Sequence, residues 1–338
     1  MCIALISTAH PDYSLIIIDN RDVWIHPGES VNIRTDRVKE FLHRPTSSLN
    51  WWPEPNAHVL GSRDLARETR GTWMGVTKQG KVAVLTNYRE DKCSDAVGVY
   101  SRGRIVNSWL TSPPEEHQTT RSFVEAMIAS PEVKQVGGFS LVCGRINEPL
   151  AIVSNRSFNM DNITWVAAKK NQTVGLSNTS VDDRTWPKIL DGERLMESEI
   201  RAHVRAQQGE DALIERLLKV LSTDTLPRLS EAESTIDTYI EHLRKSIFIP
   251  VIAESDDGSH VAEEVAAAEI EDKPREGREN GGLEPNYFSG PYGTQKQTIL
   301  LAQSNGRVRY FERTLYDNHG NTLPSGRGDQ SFEFHIEQ

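Results

Sequence analysis

The sequence predicts an α+β fold, with antiparallel sheets built from strands near both ends of the chain and helices contributed mainly by its middle. Short apolar runs bounded by polar or turn residues come first and last along the 338 residues, and such runs are typical of buried strands. The clearest helical periodicity lies between them, and strands do not alternate with helices one by one. This order argues against a parallel sheet of βαβ units.

Two strand pairs are predicted early in the chain. Residues 2–7 are apolar and are followed by the apolar run 15–18, so the two segments are expected to form a hairpin. Residues 72–77 and 81–86 are separated by a turn that contains Gly80, which indicates a second hairpin.

The middle and the end of the chain follow the same logic. Helical spacing is evident over 122–128, and the longest helical pattern covers 211–221, where a leucine stripe predicts a core-facing helix. Residues 236–249 fit no single pattern. Further strands are predicted at 138–143, 150–153, 298–302, 308–313 and 332–336.

Charge is concentrated in one segment. The net charge is −10, and residues 254–284 alone hold eleven acidic and three basic side chains. A single domain over 1–338 is therefore predicted, interrupted by an acidic, disordered loop at 254–286. Neither this acidic segment nor the rest of the chain offers the basic face that binding to a phosphate backbone requires, so we expect no nucleic-acid partner.

The cysteines and the hydropathy pattern predict a protein of the cytoplasm. Cys2, Cys93 and Cys143 form no pair with zinc-site spacing, so we expect no metal site and a reducing compartment. The N-terminus lacks the features of a secretory signal, and no apolar run has the length of a transmembrane helix. Association with the Golgi, the endoplasmic reticulum or mitochondria would require a partner or a signal that the sequence does not reveal.

A cluster of polar residues, 19–22, follows the apolar run 15–18. Asp19, Asn20, Arg21 and Asp22 can form charge-assisted or amide hydrogen bonds at a strand end, where functional sites are common. Taken alone, the same tetrapeptide is more typical of a surface turn closed by local side-chain hydrogen bonds.

A series of motifs, in a fixed order, links the chain to a known family. It begins with Met1-Cys2 and Asn20-Arg21-Asp22 and continues with Trp51-Trp52-Pro53, Gly61-Ser62-Arg63-Asp64, Gly71-Thr72-Trp73-Met74-Gly75-Val76, Leu85-Thr86-Asn87-Tyr88-Arg89, Gly137-Gly138-Phe139, Gly175-Leu176-Ser177-Asn178, Trp186-Pro187-Lys188, Tyr292-Gly293-Thr294 and Phe311-Glu312-Arg313. In order and spacing, these motifs closely resemble the NRDE family along almost the whole chain.

The resemblance also points to an insertion. The family motif Asn-Arg-Asp-Glu is complete only if Asp22 is joined to Glu40, so residues 23–39 are interpreted as an inserted loop. Every valine codon begins with GT, so the coding sequence of the segment starts with GT at Val23. Lys39 can be encoded AAG, so it can end with AG. These are the dinucleotides at the two ends of an intron. We therefore hypothesise a retained intron, and a spliced transcript that still encodes 23–39 would refute this origin.

The resemblance implies a fold and two alternative functions. Within the N-terminal-nucleophile hydrolases, which the family resembles, two antiparallel sheets lie between helical layers in an αββα sandwich. One implied function is support of Golgi organisation and protein secretion, through binding or trafficking a small hydrophobic or anionic ligand such as haem or a lipid thioester. The alternative is an N-terminal-cysteine amidohydrolase. The residues alone do not decide whether the protein is an enzyme, and its protein partners stay unknown.

Cys2 is the central candidate for catalysis. If Met1 is removed, Cys2 carries a thiol and a free α-amine that can act as its base. The other interpretation is a small apolar residue that starts a strand. By similarity to bile-salt hydrolases, Arg21 and Asp22 are expected to lie close to Cys2, and Asn87 and Asn178 are candidates to stabilise an oxyanion.

The interrupted Asn-Arg-Asp motif and the residue after Tyr292-Gly293-Thr294 depart from the expected pattern. Related sequences continue Tyr-Gly-Thr with Arg, whereas here Gln295 follows, so a fixed positive charge is lost or is replaced by Lys296. For haem, no cysteine or histidine stands out by its spacing as an axial ligand.

Overall fold

A computed structural model of the protein describes most of the chain. The described residues are 1–24, 46–65, 69–89, 101–113, 118–229, 236–252, 291–317 and 321–337. The predicted acidic loop 254–286, residues 25–39 of the predicted insertion, Glu40 and Cys93 lie outside these ranges.

The first sheet carries both ends of the described chain. Its six strands are β1 (Ile3–Ser7), β2 (Tyr13–Trp24), β9 (Thr173–Ser177), β10 (Tyr292–Gln303), β11 (Arg307–Thr314) and β12 (Asp329–His335). They lie in the order β12-β11-β10-β2-β1-β9, and every neighbouring pair is antiparallel. The N-terminal strand β1 is thus enclosed between two others.

The second sheet is built from the chain between these segments. Its six strands follow sequence order, again all antiparallel. They are β3 (Val59–Leu60), β4 (Met74–Thr77), β5 (Lys81–Asn87), β6 (Phe139–Arg145), β7 (Leu150–Ser154) and β8 (Thr164–Val166).

Helices cover the outer face of each sheet. Helices α1 (Gly103–Leu110) and α2 (Thr120–Ala129) pack on the second sheet, and α3 (Pro187–Ala206) and α4 (Glu210–Leu221) pack on the first. A four-residue helix, α5 (Ile236–Tyr239), follows.

The core accordingly has three main layers. In β1, Ile3 and Leu5 face helices α3 and α4, while Ala4 and Ile6 belong to the cluster between the two sheets. This alternation is the period of two that a strand imposes on its side chains. The result is the αββα sandwich, so the predicted fold is confirmed.

Several local predictions need correction. The polar stretch 19–22 is neither a strand end nor a surface turn, because it lies inside β2, where residues 13–24 pair with β10. Val23 and Trp24, the first residues of the predicted insertion, extend the same strand opposite Gly293 and Tyr292. The longest helix among the described residues is α3, with 20 residues, rather than the predicted segment 211–221.

Two glycines let helix α3 approach the first sheet closely. A Cβ atom at Gly192 would lie 3.0 Å from the side chain of Leu5 in β1, and one at Gly175 would lie 3.0 Å from that of Ile189 in α3. The start of α3 is therefore held against the beginning of β1, where Cys2 lies.

Candidate functional site

Cys2 immediately precedes β1 and lies beside Asp22 of β2. The Asp22 backbone N–H donates to Cys2 Sγ over 3.4 Å, and Sγ lies 3.8 Å from the Asp22 carbonyl oxygen. Desolvation raises the pKa of the half-buried thiol to about 11, against the opposing influence of the nearby α-ammonium group. The thiol is therefore protonated near neutral pH.

Asp22 connects the N-terminus to strand β10. Its Oδ1 accepts a hydrogen bond from the Thr294 hydroxyl at 2.6 Å, and its Oδ2 lies 3.1 Å from the Met1 α-amine. The same amine donates to the Tyr292 hydroxyl. Because Asp22 is buried, the α-ammonium group supplies charge compensation that water cannot.

Two side chains hold the carbonyl groups of the first two residues. Lys188 Nζ donates to the Met1 carbonyl oxygen at 2.5 Å and to the Cys2 carbonyl oxygen at 3.4 Å. The Ser177 hydroxyl donates to the Cys2 carbonyl oxygen at 2.6 Å. Complete burial lowers the pKa of Lys188 to about 8.

Sequence reasoning missed Lys188 as a site residue. The motif Trp186-Pro187-Lys188 was the available signal, since a proline at the first position of a helix fixes where that helix starts. Nothing local in the sequence, however, indicates that this lysine points into the interior.

Arg21, the neighbour of Asp22 in β2, contacts Trp73, which immediately precedes β4 of the second sheet. Its guanidinium group stacks on the Trp73 ring at 4.0 Å and donates to Gln295 Oε1 at 2.8 Å. Gln295 is an extra residue in β10, because Thr294 pairs with Asp22 and Lys296 pairs with the adjacent Arg21. Such a β-bulge redirects side chains, and here it turns the Gln295 amide towards Arg21.

Lys296 does not replace the missing arginine at this site. Its Nζ forms a buried ion pair with Glu312 at 2.6 Å and also hydrogen bonds to Ser62 and to the Ser47 carbonyl oxygen. It is thus committed to the interior between the sheets and does not line the pocket beside Cys2.

A pocket of about 120 Å³ lies beside Cys2. Its wall is formed by residues of both sheets and of the segment before α1, namely Cys2, Arg21, Asp22, Val23, Asp64, Gly71, Thr72, Trp73, Leu85, Asn87, Ser101, Arg102 and Gly103. The fold therefore brings together four of the predicted site residues, Cys2, Arg21, Asp22 and Asn87.

Asn178 and Asn20 do not line this pocket. Asn178 follows Ser177 at the end of β9, and its Oδ1 lies 3.5 Å from the Ser177 hydroxyl. Asn20 joins elements together, because its amide donates to the carbonyl oxygens of Leu221 and Ile247. Its place in the Asn-Arg-Asp motif is thus explained by structure.

Within the described ranges, no group of three or more His, Cys, Asp or Glu side chains could hold a metal ion. No helix of those ranges is long and apolar enough to cross a membrane.

Comparison with known proteins gives one family and several relatives. The family model described as Transport and Golgi organisation 2 matches residues 1–31 and 33–317. A Bos taurus Transport and Golgi organization protein 2 homolog is 26% identical over 305 residues, covering 90% of this chain and 87% of its own length. The Homo sapiens homolog is 25% identical over 312 residues, covering 90% and 88%. An uncharacterised Saccharomyces cerevisiae protein is 23% identical over 354 residues, covering 99% and 100%.

Solved structures show weaker similarity. The Caenorhabditis elegans ortholog of N-acylethanolamine-hydrolyzing acid amidase covers 66% of this chain and 87% of its own, with 13% identity and a TM-score of 0.34. The C2A mutant of conjugated bile acid hydrolase from Clostridium perfringens covers 99% and 98%, with 10% identity and a TM-score of 0.33.

Proposed function

The chain belongs to the Transport and Golgi organisation 2 family, and we propose that it supports Golgi organisation and protein secretion by binding a small ligand beside Cys2. The observation that carries this proposal is the pocket that places a half-buried thiol, a guanidinium group and an amide side chain around one space. We place the protein in the cytoplasm, in association with the Golgi.

The pocket favours the polar end of a larger molecule. Pockets for drug-sized ligands have volumes of roughly 300–1,000 Å³, whereas this one has about 120 Å³. Arg21 can donate to a carboxylate or a phosphate, and Asn87 to a carbonyl oxygen. A lipid thioester, with its carbonyl group inside and its chain outside, suits these groups.

Haem does not suit this pocket. Its iron needs an axial ligand such as His, Cys, Met or Tyr, and Cys2 alone among the wall residues belongs to that set. Burial raises the pKa of its thiol to about 11, which disfavours the thiolate. Two histidines that could in principle be axial ligands, His10 and His203, do not line this pocket. They hydrogen bond to each other, with His10 Nε2 and His203 Nδ1 3.1 Å apart.

Native mass spectrometry of the full-length protein tests the ligand proposal. A non-covalent ligand with an anionic or carbonyl group should be retained by the wild-type protein and by Arg121→Met, a control at an exposed arginine on α2. It should be lost from Arg21→Met. Equal retention by both variants would place the ligand elsewhere.

The second candidate function is amide hydrolysis by Cys2. In a chain without Met1, the thiol would pass its proton to the neutral α-amine of Cys2, and sulfur would attack the amide carbon. The C–N bond would break as that amine returned the proton to the leaving nitrogen, and water would then hydrolyse the thioester. The presence of Cys2 and Asn87 in one pocket wall favours this alternative, because the Asn87 amide could stabilise the oxyanion formed by attack of the thiol.

Intact-mass analysis separates the two candidates. Hydrolysis requires that Met1 be absent and that an acylating probe add to Cys2. Cys2→Ser should slow acylation strongly, whereas Cys93→Ser should not. A native protein that retains Met1 excludes this mechanism, because the nitrogen of Cys2 is then an amide.

A further inference from the structure

Met1 is bound by the protein as a ligand would be. Only 7% of its surface is exposed, and its amine, its carbonyl group and its side chain each have partners contributed by distant parts of the sequence. A flexible first residue is normally poorly ordered unless the fold holds it.

The ammonium group has two buried partners. Asp22 and Tyr292 are exposed by only 1% and 2%, respectively, and Asp22 is fixed by the Thr294 hydroxyl. A buried carboxylate of this kind selects for a cation, because leaving it unpaired is costly.

The carbonyl oxygen of Met1 accepts a hydrogen bond from Lys188, whose side chain is fully buried. The ammonium and carbonyl contacts together recognise the two polar groups of an α-amino acyl unit. They also fix its orientation, since one partner is an anion and the other a donor.

The side chain of Met1 lies in an apolar cluster at the same end of the first sheet. This cluster also contains Trp186, Ile189, Tyr239, Ile249 and Ile252. An unbranched, flexible side chain suits such a cluster, because it can follow an irregular space between aromatic and branched residues.

We propose that, in the chain that begins at Cys2, these groups form a subsite for an L-α-amino acyl group with an unbranched apolar side chain. Asp22 and Tyr292 take its ammonium group, Lys188 takes its carbonyl oxygen, and the cluster around Trp186 takes its side chain. The inference goes beyond the proposed function, because Tyr292, Lys188 and Trp186 are not part of the pocket wall beside Cys2.

The test compares two forms of the full-length protein, one that retains Met1 and one cleaved from a fusion so that Cys2 is first, with both verified by intact mass. The probe is L-methioninamide, followed by titration calorimetry. Its affinity for the form that begins at Cys2 should be at least tenfold higher. Norleucinamide should bind equally well, and N-acetyl-methioninamide, which lacks the ammonium group, at least tenfold more weakly.

Lys188→Met should weaken methioninamide binding tenfold, whereas Lys170→Met, a change at an exposed lysine, should not. Equal affinity for both forms of the chain, no binding to the form that begins at Cys2, or equal binding of the acetylated probe would overturn the subsite. Acylation of Cys2 by the acylating probe is measured in a separate experiment, by intact mass. If acylation persists without methioninamide binding, the subsite fails and the second candidate function, hydrolysis by Cys2, is unaffected.

Discussion

Two buried lysines, Lys188 and Lys296, have different kinds of partner for their ammonium groups. Lys296 has a carboxylate partner, Glu312, at 2.6 Å, with Ser62 bonded to both residues. Lys188 donates instead to the carbonyl oxygens of Met1 and Cys2. Burial lowers the pKa of both lysines.

The difference separates an ion pair within the interior from a buried donor whose acceptors belong to the first two residues of the chain. The partners of Lys296 are interior residues of the chain, Glu312 in β11 and Ser62 just after β3, so its site is complete whatever else is bound. One partner of Lys188 belongs to the first residue of the chain, which processing can remove. A buried donor that can lose its acceptor favours binding of another one.

The largest expected effect comes from breaking the permanent pair. Glu312→Gln leaves Lys296 as an uncompensated buried charge, which should cost about 3 kcal/mol or more in the free energy of unfolding. Denaturation with urea measures the loss. The double variant Lys296→Met/Glu312→Leu should recover most of it, and a Glu312→Gln protein as stable as wild type would contradict the assignment.

Removing Met1 should have the next largest effect. The chain that begins at Cys2 loses a buried side chain, a change that costs about 2–4 kcal/mol, and it leaves Lys188 without one acceptor. Thermal unfolding of both forms, with masses verified, measures the difference. Addition of methioninamide should recover part of the lost stability in the shorter chain alone.

The pH dependence of stability sharpens the contrast further. An unfolded Lys188 keeps its proton up to about pH 10.5, whereas the folded one loses it near its pKa of about 8. The unfolded state therefore binds more protons between these values, and stability rises with pH. From pH 7 to 9.5, wild type should gain about 2 kcal/mol relative to Lys188→Met.

Cys2 adds an opposite trend, which this comparison removes. Its thiol has a pKa of about 11 in the folded chain, raised from 9.0, so stability falls as pH rises through that range. Because both proteins retain Cys2, the difference between them reports Lys188. A difference that is constant from pH 7 to 9.5 would show that the pKa of Lys188 is not lowered into this range.

Arg21 should show the smallest effect on stability. Arg21→Lys loses the stacking on Trp73 and the planar donor group that reaches Gln295, at a cost of about 1 kcal/mol. Arg121→Lys, at an exposed ion pair, should change stability by less than about 0.5 kcal/mol. Urea denaturation of both variants makes this comparison, and equal losses would show that the stacking contributes nothing.

The sequence predicted the parts of the site that local patterns reveal. Cys2, Arg21 and Asp22 are close in sequence to the first two strands, and pairing of β1 with β2 brings them together. The extent of β2 was not predictable in the same way, because residues 21–24 extend the strand beyond its pairing with β1 and pair with β10 alone. A polar run such as 19–22 carries no local β preference.

Lys188 and Gln295 show why the rest was missed. The burial of Lys188 depends on how closely α3 packs on β1, which is decided by Gly192 and Leu5 together. The role of Gln295 depends on a bulge that exists only in the paired strands. Both are properties of tertiary packing, so no single stretch of sequence indicates them.

The position of β10 near the end of the described chain also determines how long Met1 stays accessible during synthesis. The groups that enclose Met1 include Lys188 and Tyr292, and the latter lies 291 positions further along the chain. Ribosomes add roughly 5–20 residues per second, so Tyr292 is made on the order of tens of seconds after Met1. During that interval the first residue is accessible to aminopeptidases, and once β10 joins the sheet it is enclosed. Removal of Met1 thus depends on whether an aminopeptidase acts before β10 is synthesised and joins the sheet.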